Sequence, residues 1–352
     1  MKDSINDMLF AMQQQNLVYN HNFLYYSNKK IVDSSVAYNH PDGWIYKDLG
    51  ANGEISYDEG TTSCLIQKSS DDSLMTLSQI INEFPRWQET LLGQKICAKV
   101  IIQNPLAAKT DFNLDFSIDD GYSKSTKRIL FKPGDKTEVS IQIDVNPKAV
   151  KIKVYIECST KKAIIYVNKI SANIGKITLD TLPCIVQGVI GERKQYIATE
   201  NPPIEELSLC NESRELSNNY TRLNSVLNGR FGIGNNGNSM LVNMSGYFSR
   251  AWNNGAKIDP DADQRTLNGS NTKIGDYVGS FEQDAFLKHI HSLDYKVGTA
   301  PTAMGGSGAT SNLVNPITAY TNGAFDIDKN QAIEGEETRP KNIYELYTIK
   351  WA

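Results

Sequence analysis

Two of the four histidines stand one residue apart, His289 and His291, and that spacing points to coordination chemistry. In an extended segment, side chains two positions apart project to the same side, so both imidazoles can face one axis. One chain offers two nitrogens. Three chains around a threefold axis would offer six, in two stacked triangles, which is octahedral geometry. Imidazole suits iron, nickel, copper and zinc, whereas structural zinc is nearly always four-coordinate. On spacing alone a surface or core role is the commoner use of such a pair; in a trimer it would hold iron in preference to zinc, and structurally, since six filled positions leave none open for a reaction.

Other residue groupings fall short of catalysis. Gly305-Gly306-Ser307-Gly308-Ala309 approaches a nucleophile elbow, but a hydrolase of that type needs a later histidine and none follows His291. The same glycines lack the Lys-Ser or Lys-Thr pair of a phosphate loop. Asp259-Pro260-Asp261-Ala262-Asp263 approaches a calcium loop, yet Gln264 stands where glycine is required and Ser270 where a bidentate glutamate belongs, so a loop turn is expected. Any two suitably spaced acids could hydrolyse a glycan, but nothing marks such a pair. No enzyme activity is expected.

A chain of 352 residues exceeds one ordinary core and should divide into two or three domains. A net charge of -4 gives no electrostatic footprint for nucleic acid. Nothing reaches the ~18 apolar residues that span a bilayer, so no membrane insertion is expected. Residues 1–15 lack the basic start and apolar run of a secretory signal. The cysteines, Cys64, Cys97, Cys158, Cys184 and Cys210, are odd in number and widely spaced, which favours buried free thiols over disulfides or a zinc site.

Positions 1–15 suggest a short helix, its apolar side formed by Met8, Leu9, Phe10 and Met12, for attachment or packing between chains. From 16 to 176, short apolar runs separated by turn residues predict an antiparallel β-sandwich. The clearest strands are Ile96–Gln103, Phe112–Ile118, Glu138–Val145, Val150–Glu157 and Ala163–Ile170. The run Asn16-Leu17-Val18-Tyr19-Asn20-His21-Asn22-Phe23, followed by Pro41-Asp42-Gly43-Trp44, resembles the start of the jelly roll of carbohydrate-binding modules. That resemblance implies a sugar site with an aromatic platform, because a pyranose presents an apolar face rimmed by hydroxyls. Trp44, Tyr46, Tyr57 and Trp87 are the platform candidates, with packing as each one's competing use. Pro183, Pro202 and Pro203 among polar residues suit a linker or shaft over 177–203.

From Glu205 to the end the chain resembles the phage tail-collar family. The matching blocks are Leu207-Ser208-Leu209-Cys210-Asn211-Glu212-Ser213, a helix bearing Tyr220 and Leu223, and the turn Phe231-Gly232. Leu241-Val242-Asn243-Met244-Ser245-Gly246-Tyr247-Phe248 follows, lacking the family's Pro, Asp and Arg. Next come Arg250-Ala251-Trp252-Asn253-Asn254-Gly255 with Asp259-Pro260, then Val278-Gly279-Ser280-Phe281-Glu282-Gln283-Asp284-Ala285-Phe286. The last block is Glu337-Thr338-Arg339-Pro340-Lys341-Asn342-Ile343, before a terminal strand with Ile343, Tyr347, Ile349 and Trp351 on one face.

The resemblance implies a collar domain at 204–291 and a distal tip loop with terminal strand at 292–352, mainly β, loop-rich and with little helix. It also implies a homotrimer, since in T-even tail fibres His-x-His pairs bind metal on the trimer axis, and hence one structural transition-metal ion per trimer. Tyr295, Tyr320 and Phe325 are the receptor-binding candidates, because a binding loop needs rigid aromatic area among small residues. The function implied is a receptor-binding tail-fibre protein in the tail of a phage or phage-like particle. It would be made in the host cytoplasm, attached to other tail or baseplate proteins, and bind host-surface polysaccharide or protein. The alternatives are a tail-spike polysaccharide depolymerase and a non-adhesive assembly protein.

Overall fold

The computed structural model describes residues 2–27, 40–50, 53–267, 270–283 and 342–352. The chain divides into two compact units, Met1–Glu282 with Glu345–Ala352, and Gln283–Tyr344. The elements described below belong to the first. His289, His291, Tyr295, Tyr320 and Phe325 lie outside the described residues.

Helix α1 (Lys2–Met12) opens the chain. It leaves Ile5, Met8, Leu9, Phe10 and Met12 exposed and buries Ala11. The sandwich follows as β1 (Ile45–Asp48), β2 (Glu54–Asp58), β3 (Ser63–Gln67), β4 (Met75–Ile80), helix α2 (Trp87–Leu91), β5 (Lys95–Gln103), β6 (Phe112–Asp119), β7 (Lys124–Phe131), β8 (Lys136–Asp144), β9 (Lys153–Cys158) and β10 (Ile164–Ile174). Two five-stranded antiparallel sheets result, ordered β1-β4-β9-β6-β7 and β2-β3-β10-β5-β8. The expected β-sandwich is present.

Period-two alternation builds its core. Ile96, Ala98, Val100 and Ile102 of β5 are buried with Leu114, Phe116 and Ile118 of β6 and Val154, Ile156 and Cys158 of β9. In β10 the buried set runs Ile165, Val167, then Ile170 and Ala172, which breaks parity. A register shift between Val167 and Lys169 absorbs one residue, and such a bulge restores the inward direction of everything after it. The strand expected from Val150 starts later, at Lys153. Backbone pairing at Ile152 is made instead to the chain beyond β4, where Ile81 donates to the Ile152 carbonyl and Asn82 Oδ1 accepts from the Ile152 amide.

A second core gathers Tyr19, Val186, Ile190, Leu209, Leu216, Leu223, Val226, Leu227, Leu241 and Ile349. Its frame is a three-stranded sheet of β11 (Arg193–Tyr196) and β12 (Glu206–Ser208) on either side of β15 (Leu346–Lys350), with helix α3 (Thr221–Leu227) and the pair β13 (Arg214–Glu215) and β14 (Met240–Leu241). The stretch expected as a linker or shaft is packed: it carries β11 and buries Leu182, Val186 and Ile190. Of the face expected on the terminal strand, Tyr347, Ile349 and Trp351 pack on this core, while Ile343 precedes the strand and is exposed. The opposite residues Thr348 and Lys350 are buried as well, as a central strand requires.

Polar locks hold each core. Glu206 is buried and accepts from Lys194 Nζ at 2.8 Å, Tyr196 Oη at 2.9 Å and Thr348 Oγ1. Burial alone would raise its carboxyl, but those hydrogen bonds outweigh it and hold the group below the usual glutamate range. The native state thus favours the ionised form. Its contribution is complete above the unfolded-state value near ~4.3 and is lost as pH falls through the lower folded-state value. Glu206→Gln should therefore flatten the acid limb of the stability curve, with unfolding midpoints converging on wild type between about pH 6 and about pH 3; parallel curves would refute this.

Candidate functional site

Beyond β4 the chain runs Ile81, Asn82, Glu83 and Phe84, all buried, and Pro85 and Arg86 then turn it outward. Arg86 adopts the left-handed region at φ 57°, a conformation costly for a residue with a Cβ. That turn sets half-buried Trp87 at the first position of α2. Trp87 lines an open cleft of about 500 Å³ together with Tyr220, which precedes α3, and Trp351, which follows β15. Their rings meet edge to face, centroids 5.1 Å apart at 71°. Trp351 Nε1 donates to the Ile204 carbonyl at 3.2 Å, which fixes its rotation.

The rim is amide-rich: Asn82, Gln88, Asn218 and Asn219 line the cleft, with Lys151 as its ammonium. Asn82 is committed to the Val150 carbonyl and the Ile152 amide, whereas Gln88 and Asn219 are exposed. The lining acid, Glu83, is not free. Its carboxylate accepts from the Thr221 amide at 2.8 Å, the Arg222 amide at 2.9 Å and the Thr221 hydroxyl. It therefore caps α3 from the segment that follows β4, the role normally taken by a residue next to the helix.

Arg222 lies beneath, fully buried. Nη1 donates to the Glu83 carbonyl at 3.3 Å and Nη2 to the Leu17 carbonyl at 2.9 Å, while Nε has no partner. Burial pushes the Glu83 carboxyl upward, against the pull of the Arg222 charge and the hydrogen bonds from Thr221 and Arg222. The Arg222 guanidinium is pushed down by its own burial. Ser225 adds a bond to the Trp44 carbonyl at 2.8 Å. These contacts fix the two walls of the cleft relative to one another.

The platform candidates divide. Trp44 is 0% exposed, packs on Phe23 at 5.1 Å and spends its indole N–H on the Asn20 carbonyl. Tyr46 is also buried. Neither can offer a face to a sugar, and this corrects the expectation for both: alternation in β1 and the adjoining turn directs them into the sandwich. Tyr57 is half-buried against Tyr26, centroids 5.5 Å apart, and does not line the cleft. Trp87 does. Sequence reasoning missed its partners Tyr220 and Trp351 as binding aromatics, although Asn218-Asn219-Tyr220 joins two amides to a ring.

The loop-rich stretch beyond β14 is held by charge. Asp259, itself buried, pairs with Arg265 at 3.2 Å and Arg250 at 3.5 Å, and both arginines reach Glu282. Asp276 accepts from Asn253 Nδ2 at 2.9 Å and the Gly255 amide at 2.8 Å. The Asp259–Asp263 run is a turn entering a short 3-10 helix, Ala262–Gln264, as expected. No group of three or more metal-ligating side chains occurs among the described residues. Tyr247, Phe248, Trp252, Ile258, Tyr277 and Val278 remain exposed in this stretch.

No family model matches the chain, so the tail-collar resemblance rests on the residue blocks alone. Protein RhiB of Rhizobium leguminosarum bv. viciae is 27% identical over 185 residues, which is 52% of this chain and 80% of that protein. Among solved structures, the CBM22-1 xylan-binding domain from Paenibacillus barcinonensis Xyn10C superposes with a TM-score of 0.32 at 11% identity, over 47% of this chain and 97% of that domain. The enzymatically active domain of bacteriophage CBA120 tailspike protein 4 gives a TM-score of 0.32 at 12% identity, over 45% of this chain and 21% of that one. Likeness at this level transfers no specificity from one chain to another.

Removing the lock should loosen both walls. Glu83→Ala leaves the α3 amides and the Arg222 charge without their carboxylate, and urea unfolding should show a loss of about 3 kcal/mol; a loss below about 1 kcal/mol would mean the carboxylate does not bind the cores together. Trp44→Ala should cost about 3–5 kcal/mol by opening a core cavity. Trp87→Ala, at a half-exposed position, should cost far less in the same assay.

Proposed function

We propose that the protein is a receptor-binding component of a phage or phage-like tail fibre that works as a homotrimer, and that the Trp87–Tyr220–Trp351 cleft holds a glycan of the host surface. The observation that carries the reading is the cleft itself. Aromatic rings and exposed amides line one opening of about 500 Å³, which has room for a sugar ring, and a pyranose needs that combination for its apolar face and hydroxyl rim. Its one acid is consumed by α3, and a site so built binds a saccharide without cleaving it.

Association with copies is supported by surface chemistry. Exposed aromatic and aliphatic residues recur between Tyr247 and Val278, and in a trimer neighbouring chains would cover them. The exposed side of α1 suits attachment to tail or baseplate proteins. In this proposal His289 and His291 of three chains clamp one structural iron, with zinc as the runner-up. Three joined cleft copies raise avidity by orders of magnitude over a single weak site.

Purified protein should bind host-type surface polysaccharide, lose that binding on Trp87→Ala, and leave chain length unchanged on prolonged incubation. Shortening of the polysaccharide would instead identify a depolymerase. Solution mass with elemental analysis should show a trimer with about one transition-metal ion per three chains, the ion and part of the thermal stability being lost together on replacing both His289 and His291 by alanine. A metal-free monomer would end the trimer proposal.

A further inference from the structure

The outward face of the β1-β4-β9-β6-β7 sheet adjoins the cleft and carries a charge arrangement that the fold alone does not need. Alternation sends Lys153, Tyr155 and Glu157 of β9 outward. Register sets Lys153 opposite Ile80 and Asp119, and Tyr155 opposite Ser78 and Ser117. Across β6, Asp119 faces Lys124 and Asp115 faces Arg128. Lys47 of β1 faces Thr76, whose other neighbour is Glu157.

Tyr155 is only 5% exposed although it points outward. Two ammonium groups cover it, Lys153 Nζ at 4.7 Å and Lys124 Nζ at 5.3 Å from the ring centroid. Arg128 is spent on Asp115 in a two-pronged pair, both bonds 2.7 Å. Lys47, Lys124, Lys151 and Lys153 then stand against Asp119 and Glu157, and none of these lysines makes an ion pair among the described residues. The Lys153 ammonium is held below its usual range, first by burial and then by the Lys151 charge, with Lys47 adding to it and Glu157 only partly offsetting them. A chain of net charge -4 thus gathers uncompensated cations on one face. Lys151 and Ile80 belong both to this face and to the cleft lining, so the two surfaces are continuous.

We infer that this face binds the carboxylates of an acidic polysaccharide, Lys47, Lys151 and Lys153 pairing with successive uronate or sialate groups of a chain whose adjoining ring lies in the aromatic cleft. The inference rests on the glycan-binding reading of the cleft and names its ligand class. Nucleic acid fits the face less well. Among the described residues of the face, the Arg128 guanidinium is taken by Asp115 and does not fork onto phosphate, and the central ring lies under its own lysines, so it offers no surface for a base to stack on.

Calorimetry on the full chain tests it with polygalacturonate, alginate and polysialate, and with fully methyl-esterified polygalacturonate as the neutral control. At least one polyanion should bind, about tenfold more weakly once salt is raised from about 50 mM to about 500 mM. The same loss of about tenfold is expected for the Lys151→Gln/Lys153→Gln double variant. Lys47→Gln, at an exposed position, should weaken binding with an unchanged melting midpoint, which separates lost contact from lost fold. Equal binding of the acid and its ester, both abolished by Trp87→Ala, would overturn the acidic class while leaving the cleft as a glycan site. Binding of neither would overturn both. Equal competition by duplex DNA or phosphatidylserine vesicles would show an unselective anion surface and overturn the inference as well.

Discussion

One carboxylate keeps the two cores in register. Glu83 belongs by position to the sandwich, yet its hydrogen bonds end on the first amides of α3. Trp87 follows it after Phe84, Pro85 and Arg86, and Tyr220 immediately precedes the residue it caps. Both aromatic walls are thus indexed to a single side chain. Burying an acid and an arginine together is a poor source of net stability. What the arrangement does provide is a unique geometry, because an α3 shifted by one residue would strand the carboxylate and the guanidinium in an apolar seam.

How much was legible from the sequence depended on where each residue's information lay. The strands with alternating apolar residues, such as β5 and β6, were readable almost to their ends. β7 was not: Lys124-Ser125-Thr126-Lys127-Arg128 is polar throughout, because an edge strand gains from charges that discourage pairing with other chains. Trp44 and Trp87 look alike in a sequence, since residue type does not reveal which side of a turn a ring lies on. Alternation through β1 and its adjoining turn carries the first inward, and the left-handed Arg86, which nothing nearby announces, turns the second outward. Trp351 was assigned to a strand face, and its role beside Tyr220 depends on a contact between distant parts of the chain that no local pattern encodes.

The stretch beyond β14 shows how a segment poor in regular structure stays ordered. Asp259 with Arg250 and Arg265, joined by Glu282, and Asp276 with the 253–255 turn, do by charge and amide bonding what ladders do in the sandwich. Such a lattice spends few apolar residues. Tyr247, Phe248 and Trp252 are consequently left at the surface, available to whatever this region meets.

Strand β15 enters between β11 and β12 from far downstream. Until those residues leave the ribosome, β11 and β12 have no common neighbour and Tyr220 has no Trp351 to meet. A nascent chain interrupted before Leu346 would leave β11 and β12 without the strand that joins them and Tyr220 without the ring it meets. Closure of the second core therefore waits on residues synthesised long after the strands that receive them.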